Sequence, residues 1–273
     1  MHLVATPIGN LGDLSPRALA ALSDADVVLC EDTRVSGKLL ALCDIRRSLT
    51  SYHEHNAARV RPKILDQLRA GATVALISDA GTPLVSDPGY RLVRDAVAAG
   101  IEVFAVPGPS AAIAALIVSG LPTDRFFVAG FLPTRRSQRR RAIAAIGPVP
   151  GTLVVFEAAR RLPETLADMT AELGPRQAAV ARELTKRFEE VRRGTLADLA
   201  ALYADTGPPR GEVVIVIGPA ERGHDEPDPE QLDELLREAL ATRPPAAAAA
   251  TVAAATGRPR RELYRRALAL KGR

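Results

Sequence analysis

Short apolar runs alternate with amphipathic stretches through the first half of the chain. Residues 3–6, 26–30, 73–78 and 102–106 have the length and content of buried strands, whereas 16–23, 57–70 and 90–99 space their apolar residues along one face of a helix. Ser15-Pro16 supplies an N-cap and a first-turn proline, and Gly71 and Gly100 stand where helices end. Pro62 predicts a kink or a later start for the helix over 57–70. An apolar helix over 110–118 leads into the turn-rich 119–124, where a first domain is expected to close. The alternation then resumes, with strands expected at 125–130, 152–156, 177–182 and 212–217 and helices at 138–146, 163–173 and 196–204. Such alternation is the signature of α/β architecture, so the pattern predicts two α/β domains, 1–118 and 119–220, followed by a segment of different character, 221–273.

Charge sets that last segment apart. Residues 221–238 hold eight acids against Arg222 and Arg237, a net of −6, whereas 243–273 hold seven Arg and Lys271 against Glu262, a net of +7. Pro244-Pro245 interrupts the chain, 246–256 is rich in helix-forming Ala, and Gly257 with Pro259 makes a turn before a stretch carrying Arg260, Arg261, Arg265 and Arg266. The outline fits a helix-turn-helix, and equally a disordered Ala/Pro tail with an amphipathic end. A second basic run places Arg135, Arg136, Arg139, Arg140 and Arg141 within seven positions, with no acid between 126 and 156. A solvated charge run is the plainer reading; paired with the basic tail, the run points to a phosphate backbone as partner. Of 36 cationic side chains only four are Lys, so 32 are Arg, whose planar fork suits phosphate.

Composition narrows the class. Hydrophobic residues at 47% and charged residues at 25% of 273 are those of a globular chain, and 4% aromatics without Trp imply an aliphatic core. The longest apolar run, 111–118, is far short of the roughly 20 residues that cross a membrane. The first residues lack the cationic region and cleavage site of a signal peptide, and Cys30 and Cys43 fit neither a metal knuckle nor a redox pair. A cytoplasmic protein with reduced thiols and no membrane partner is expected.

Candidate chemistry gathers where strands give way to helices. Thr6-Pro7-Ile8-Gly9-Asn10-Leu11 follows the first strand but is neither GxGxxG nor, like any other part of the chain, a GxxxxGK[ST] loop. Residues 78–89, from Ser78-Asp79-Ala80-Gly81-Thr82 to Pro88-Gly89, form a long stretch of small, turn-forming and acidic residues that suggests a ligand loop. Pro107-Gly108-Pro109-Ser110-Ala111 opens a helix with free N–H groups. Three such turns at one sheet edge outweigh any one of them, because open α/β sheets bind ligands there. Glu31-Asp32-Thr33-Arg34 is either a capping and ion-pair cluster, the simpler alternative, or part of a catalytic set. His53-Glu54-His55 lacks a third metal ligand, and no metal is expected. Arg182-Glu183-Leu184-Thr185-Lys186 holds the only Lys between 64 and 270, an ammonium whose pKa burial can move. No Ser-His-Asp or Cys-His set can be assembled.

These motifs, in order from Thr6-Pro7-Ile8-Gly9-Asn10-Leu11 through Glu31-Asp32-Thr33-Arg34, Tyr52-His53-Glu54-His55-Asn56, 78–89 and 107–112 to 182–186, closely resemble the ribosomal RNA small subunit methyltransferase I family of the tetrapyrrole methylase superfamily. The resemblance runs from residue 3 to about 218 and more weakly to Tyr264. It implies two α/β domains with S-adenosylmethionine in the cleft between them. It also implies a cytoplasmic homodimer that methylates the 2′-oxygen of a cytidine in the decoding region of small-subunit (16S) rRNA, as free RNA or within an assembled 30S subunit. By the same resemblance Ile8, Ala80, Gly81, Thr82, Val85, Ser110 and Ala111 are cofactor contacts of the first domain, and Phe156, Glu157, Leu184, Gly211 and Glu212 those of the second. Tetrapyrrole relatives read Gly-Asp-Pro where this chain reads Gly81-Thr82-Pro83, so an acidic contact moves to Asp79. Proton removal from the ribose hydroxyl is expected from Lys186, if neutral, or Glu183, with Asp32 and Glu31 behind them. RNA contacts are expected from Arg135, Arg136, Arg139, Arg140, Arg141, Arg260, Arg261 and Arg265. The competing readings are a tetrapyrrole C-methylase, for which the chain is poor in aromatics, and a non-catalytic ribosome assembly factor.

Overall fold

The computed structural model describes residues 1–220, 229–256 and 258–271. The chain divides into two compact units, Met1–Pro219 and Ala220–Arg273.

The first unit opens with a parallel sheet of β1 (His2–Val4), β2 (Val27–Cys30), β3 (Ser48–Ser51), β4 (Val74–Leu76) and β5 (Phe104–Val106), in the order β3-β2-β4-β1-β5. Helices α1 (Pro16–Asp24) and α2 (Thr33–Leu42) cover one face, and α3 (Ala57–Arg69) and α4 (Tyr90–Ala98) the other. Strand alternation divides the apolar residues between these layers: Val28 and Cys30 face α1 and α2, and Leu29 between them faces α3 and α4. Adjacent strands β1 and β4 therefore send their chains to opposite faces, which leaves a crevice at their carboxyl ends. Ser15 caps α1, its Oγ accepting from the Ala18 N–H at 3.1 Å. Helix α3 begins at Ala57 and runs through Pro62 rather than starting after it.

The second sheet comprises β6 (Phe126–Phe131), β7 (Thr152–Ala158), β8 (Gln177–Arg182), β9 (Glu190–Thr195) and β10 (Glu212–Ile217), in the order β6-β7-β10-β8-β9, parallel only between β6 and β7. Helices α6 (Arg136–Ile146), α7 (Leu162–Leu173) and α8 (Leu196–Thr206) cover one face, where Leu153, Val155, Val180 and Ile215 are buried. Helix α5 (Ala111–Ser119), which the apolar pattern groups with residues 1–118, packs on the other face, with Ala112, Ala115 and Leu116 against Val154, Ala179, Ala181 and Val216. Three elements had no clear hydrophobic signal. Strand β3 is half exposed at a sheet edge, β9 is an edge strand reading EVRRGT, and α2 carries a polar first turn capped by Asp32.

The second unit is a three-helix cluster of α9 (Pro229–Thr242), α10 (Pro245–Thr256) and α11 (Arg260–Lys271) around Leu232, Leu236, Ala249, Val252, Leu263 and Ala267. Of the tail alternatives, the helical one is correct. Within the stretch expected to be an acidic linker, 229–242 is helix; residues 221–228, and Gly257 where a turn is expected, lie outside the described residues. Arg266 pairs with Asp233, and Arg260, Arg261 and Arg265 are exposed on α11. Among the described residues no helix is long and apolar enough to cross a membrane.

Packing corrects the basic run at one position. Arg139 is 1% exposed, and its guanidinium meets the Asp168 carboxylate, itself 2% exposed, at 2.8 Å. Arg136 reaches the other Asp168 oxygen at 3.0 Å, and Arg140 pairs with Glu172 at 2.5 Å. The acids missing from the local sequence are thus supplied by α7, and Arg139 is a core residue rather than a phosphate contact. Arg135 and Arg141 are exposed and carry no ion pair among the described residues. We expect Arg139→Ala, which removes the buried partner of Asp168 and leaves that buried carboxylate only the exposed Arg136, to lower stability by roughly 3 kcal/mol. Arg135→Ala and Arg141→Ala should stay within about 0.5 kcal/mol of the parent, as measured by urea denaturation.

Candidate active site

The crevice at the ends of β1 and β4 is fastened by main-chain hydrogen bonds. Thr6 N–H donates to Gly81 O at 2.9 Å and Gly81 N–H returns to Thr6 O at 3.0 Å. Thr6 Oγ1 donates to Ser78 O at 3.3 Å, and Thr82 Oγ1 to Pro109 O at 3.0 Å, so the three turns expected to share an edge are tied together. Gly81 has φ 83°, and a Cβ there would stand 3.3 Å from Ile8 Cγ2. Further along the second turn Leu84 and Ser86 adopt φ 72° and 67°, left-handed conformations uncommon for residues other than glycine. Strain of this kind persists where surrounding structure enforces it, frequently at ligand sites.

Opposite, β8 runs into a turn in which Glu183 and Thr185 are also left-handed, with φ 49° and 64°. Glu183 Oε1 accepts from Lys186 Nζ at 3.0 Å and from the Glu212 N–H at 3.2 Å, and Lys186 Nζ reaches Glu212 Oε2 at 3.2 Å. A Cβ on Gly211 would lie 2.1 Å from Glu183 Oε1, so glycine is what admits this carboxylate. A Cβ on Gly9 would lie 2.4 Å from Lys186 Cγ, and one on Gly130 2.9 Å from Ser86 Oγ. At these two points the walls meet.

Between the walls lies a cavity of about 720 Å³, within the range of small-molecule and cofactor sites. Its first wall carries Ile8, Asp79, Ala80, Gly81, Thr82, Val85, Ser110 and Ala111; its second carries Phe156, Glu157, Glu183, Leu184, Lys186, Gly211 and Glu212. Every residue expected at the cofactor or as proton acceptor from the 182–186 turn is therefore brought together. Glu157 lines it in a different way from a polar contact. Its side chain is fully buried and accepts from Thr165 Oγ1, Arg161 Nε and the Ala158 N–H, each at 2.7 Å, leaving the main chain to face the cavity. Asp32 and Glu31 are not on the wall. Asp32 caps α2, and hydrogen bonds from the Arg34 side chain and backbone hold its carboxyl at about 2, which makes this the capping and ion-pair cluster.

Two electrostatic features follow. Burial works against the Lys186 charge, but Glu183 and Glu212 outweigh it and raise its pKa above the ordinary lysine value. Lys186 is therefore a cation, and the expectation of a neutral lysine base is corrected; Glu183, hydrogen-bonded by Lys186, is held below the usual carboxylate range. Asp87, in the 78–89 turn but not singled out there, also lines the cavity. Burial raises its carboxyl to about 6, with the Glu31 and Asp79 charges acting in the same direction and the Ser78 hydroxyl opposing them. Its signal was unreadable beforehand because it depends on desolvation by residues distant in the chain. Asp79 itself accepts from the Asp32 N–H at 3.0 Å. Phe131 and Arg160 also line the cavity. A slot of small residues and main chain with apolar sides and an uncompensated acid suits a flat, partly polar ligand that carries positive charge. Among the described residues no group of three or more His, Cys, Asp or Glu is placed to hold a metal.

Comparison with known proteins agrees with this geometry. Residues 1–200 match the family model of Tetrapyrrole (Corrin/Porphyrin) Methylases, and 226–271 match the RsmI C-terminal HTH domain. The chain is 54% identical over 272 residues to Ribosomal RNA small subunit methyltransferase I of Mesorhizobium japonicum, covering 99% of this chain and 92% of the relative. Its fold is similar to that of a uroporphyrin-III C-methyltransferase from Thermus thermophilus, at 26% identity and TM-score 0.56 over 80% of this chain and 93% of that one. A uroporphyrin-III C-methyltransferase structure from the same organism, complexed with S-adenyl homocysteine, aligns at 23% identity and TM-score 0.54 over 81% and 98% of the two chains.

A carboxyl whose folded pKa lies near 6, against an ordinary 3.8, makes its contribution unfavourable wherever it is ionised. That cost is absent below about pH 4, grows as pH rises from 4 to 6 and is complete above. Asp87→Asn should therefore raise Tm by about 2–4 °C at pH 7.5 and leave it unchanged near pH 3.5, as measured by scanning calorimetry.

Proposed function

The chain belongs to the ribosomal RNA small subunit methyltransferase I family of the tetrapyrrole methylases, and from that premise we propose that it methylates the 2′-oxygen of a cytidine ribose in the decoding region of small-subunit rRNA. It is a methyltransferase with S-adenosylmethionine as donor. The proposal extends to a cytoplasmic homodimer whose partner is the rRNA, free or in the 30S subunit. It also covers a division of labour in which 1–118 and 119–220 form the two cofactor-holding parts and 221–273 handles RNA. The observation that carries the reading is the cavity at the β1–β4 crevice, where an ionisable acid and a paired carboxylate share one cleft.

The residues present fit the donor. Ile8, Ala80 to Thr82, Val85, Ser110 and Ala111 on one side and Phe156, Leu184, Gly211 and Glu212 on the other would hold it, with Asp87 as the counter-charge for its cationic groups. When bound, S-adenosylmethionine supplies a methyl group already activated on a sulfonium sulfur. The protein then has to align the acceptor oxygen and exclude water. Glu183 is the proposed proton acceptor. A ribose oxygen becomes strongly acidic as it gains a bond to carbon, so a carboxylate of low pKa within hydrogen-bond reach suffices, and Lys186 holds it in place. Phosphate contacts are proposed for Arg135, Arg136, Arg140, Arg141, Arg260, Arg261 and Arg265, all exposed. Ile113 and Ile117, one turn apart on α5, and Phe126 and Phe127 on β6 are exposed apolar residues that a second copy would cover.

The deciding experiment maps 2′-O-methylation on small-subunit rRNA from cells with and without this protein; an unchanged map overturns the reading. Glu183→Gln is expected to slow single-turnover transfer by about 10²–10⁴ while donor affinity changes less than about threefold. A bound cation favours ionised Asp87, so donor binding should weaken about tenfold between pH 7 and pH 5 in calorimetric titration, and Asp87→Asn should abolish that dependence.

A further inference from the structure

Strand β6 is irregular at one point, and the irregularity decides where Phe131 sits. Its register against β7 runs Phe126 to Thr152, Phe127 to Leu153 and Val128 to Val154, then Gly130 to Val155 and Phe131 to Phe156, so Ala129 is an extra residue. In an unbroken strand Phe131 would share a side with Phe127 and Ala129, and Ala129 packs into the core beneath α6, α7 and α8. One inserted residue reverses that parity. Phe131 comes instead to the Phe156 side, the two ring centroids 5.5 Å apart and both rings lining the cavity. Gly130 makes the bulge possible with φ 72°, and its missing Cβ lets the strand press against Ser86, next to Asp87.

This local backbone device keeps a large ring in water. Phe131 is 63% exposed, so its burial contributes little to the fold, and it is the outer of the two phenylalanines on the cavity wall. Four residues further on begins the run of exposed Arg135, Arg136, Arg140 and Arg141.

Resting on the methyl-transfer reading above, we propose that Phe131 is the stacking platform for the acceptor nucleobase, a positioning residue that holds a nucleotide extruded from its helical stack. A ribose hydroxyl within stacked RNA cannot reach down between the two walls of the cleft, so the nucleotide must swing out, and the lost stacking has to be offset at the site. An exposed aromatic face at the rim does this without reading base identity, while arginines just beyond it hold the flanking phosphates. The inner walls, Ile8, Leu184 and Phe156, are left for the donor.

The test uses the full-length chain and 30S subunits from cells that lack the modification. Phe131→Leu keeps apolar bulk and removes the π-face; Phe131→Tyr keeps the face. Expected for Phe131→Leu is a fall of about tenfold or more in kcat/KM for the subunit, with Tm unchanged and the calorimetric Kd for S-adenosylmethionine within about twofold of the parent. Phe131→Tyr should restore transfer to within about twofold. Full activity of Phe131→Leu, a parallel loss of donor affinity, or no rescue by Phe131→Tyr would each overturn the assignment. Absence of transfer by the wild-type chain overturns the methyl-transfer reading itself, whereas wild-type transfer with an equally active Phe131→Leu overturns this inference alone.

Discussion

Thr6 and Gly81 exchange two backbone hydrogen bonds between the ends of adjacent strands whose chains leave toward opposite faces of the sheet. Divergence of this kind opens a crevice in any α/β sheet, and unsupported turns on its rim would be free to splay. Here the exchange holds the first two turns together, and the Thr82 hydroxyl joins the third to them through Pro109. The bridge needs a residue at position 81 that tolerates φ 83° and presents no side chain to Ile8. Every contact of the first cavity wall depends on that alignment, because Ile8, Asp79, Thr82, Val85 and Ser110 are carried by those turns.

The charges in the cavity are held in two different states for physical reasons that can be separated. On the second wall three ionisable groups satisfy one another: Lys186 bridges Glu183 and Glu212, stays charged and holds Glu183 ionised. On the first wall Asp87 is half desolvated beside other acids, and its carboxyl rises to about 6. The first-wall arrangement is not what maximal stability alone would select, since an acid left without a cation disfavours the folded state above its pKa. A ligand bearing positive charge would remove that disadvantage, which is the ground on which Asp87 is proposed as the counter-charge of the donor.

The basic surface shows how tertiary packing sorts residues that look alike in a run. Arg139 faces the core between α6 and α7 and answers Asp168, whereas Arg135 and Arg141, a few positions away, face solvent. A helix turns about 100° per residue, so neighbours in a charged stretch need not share an environment. On α11 the same division separates Arg266, paired with Asp233, from the exposed Arg260, Arg261 and Arg265.

The amino-acid pattern alone determined most of the alternation of elements and the edge on which the ligand turns lie, because strand ends, glycines and caps are local signals; the particular cofactor contacts within those turns came from the family resemblance of the motifs. Three kinds of feature required the folded chain. Strands β3 and β9 have too little apolar content to announce themselves and exist because they pair at sheet edges. The raised pKa values of Asp87 and Lys186, the withdrawal of Glu157 and Arg139 from the surface, and the reversal of Phe131 by the bulge at Ala129 all arise between residues distant in sequence or from one extra residue in a ladder. Desolvation, charge pairing and strand register are properties of what surrounds a residue in space, and only the tertiary structure decides them.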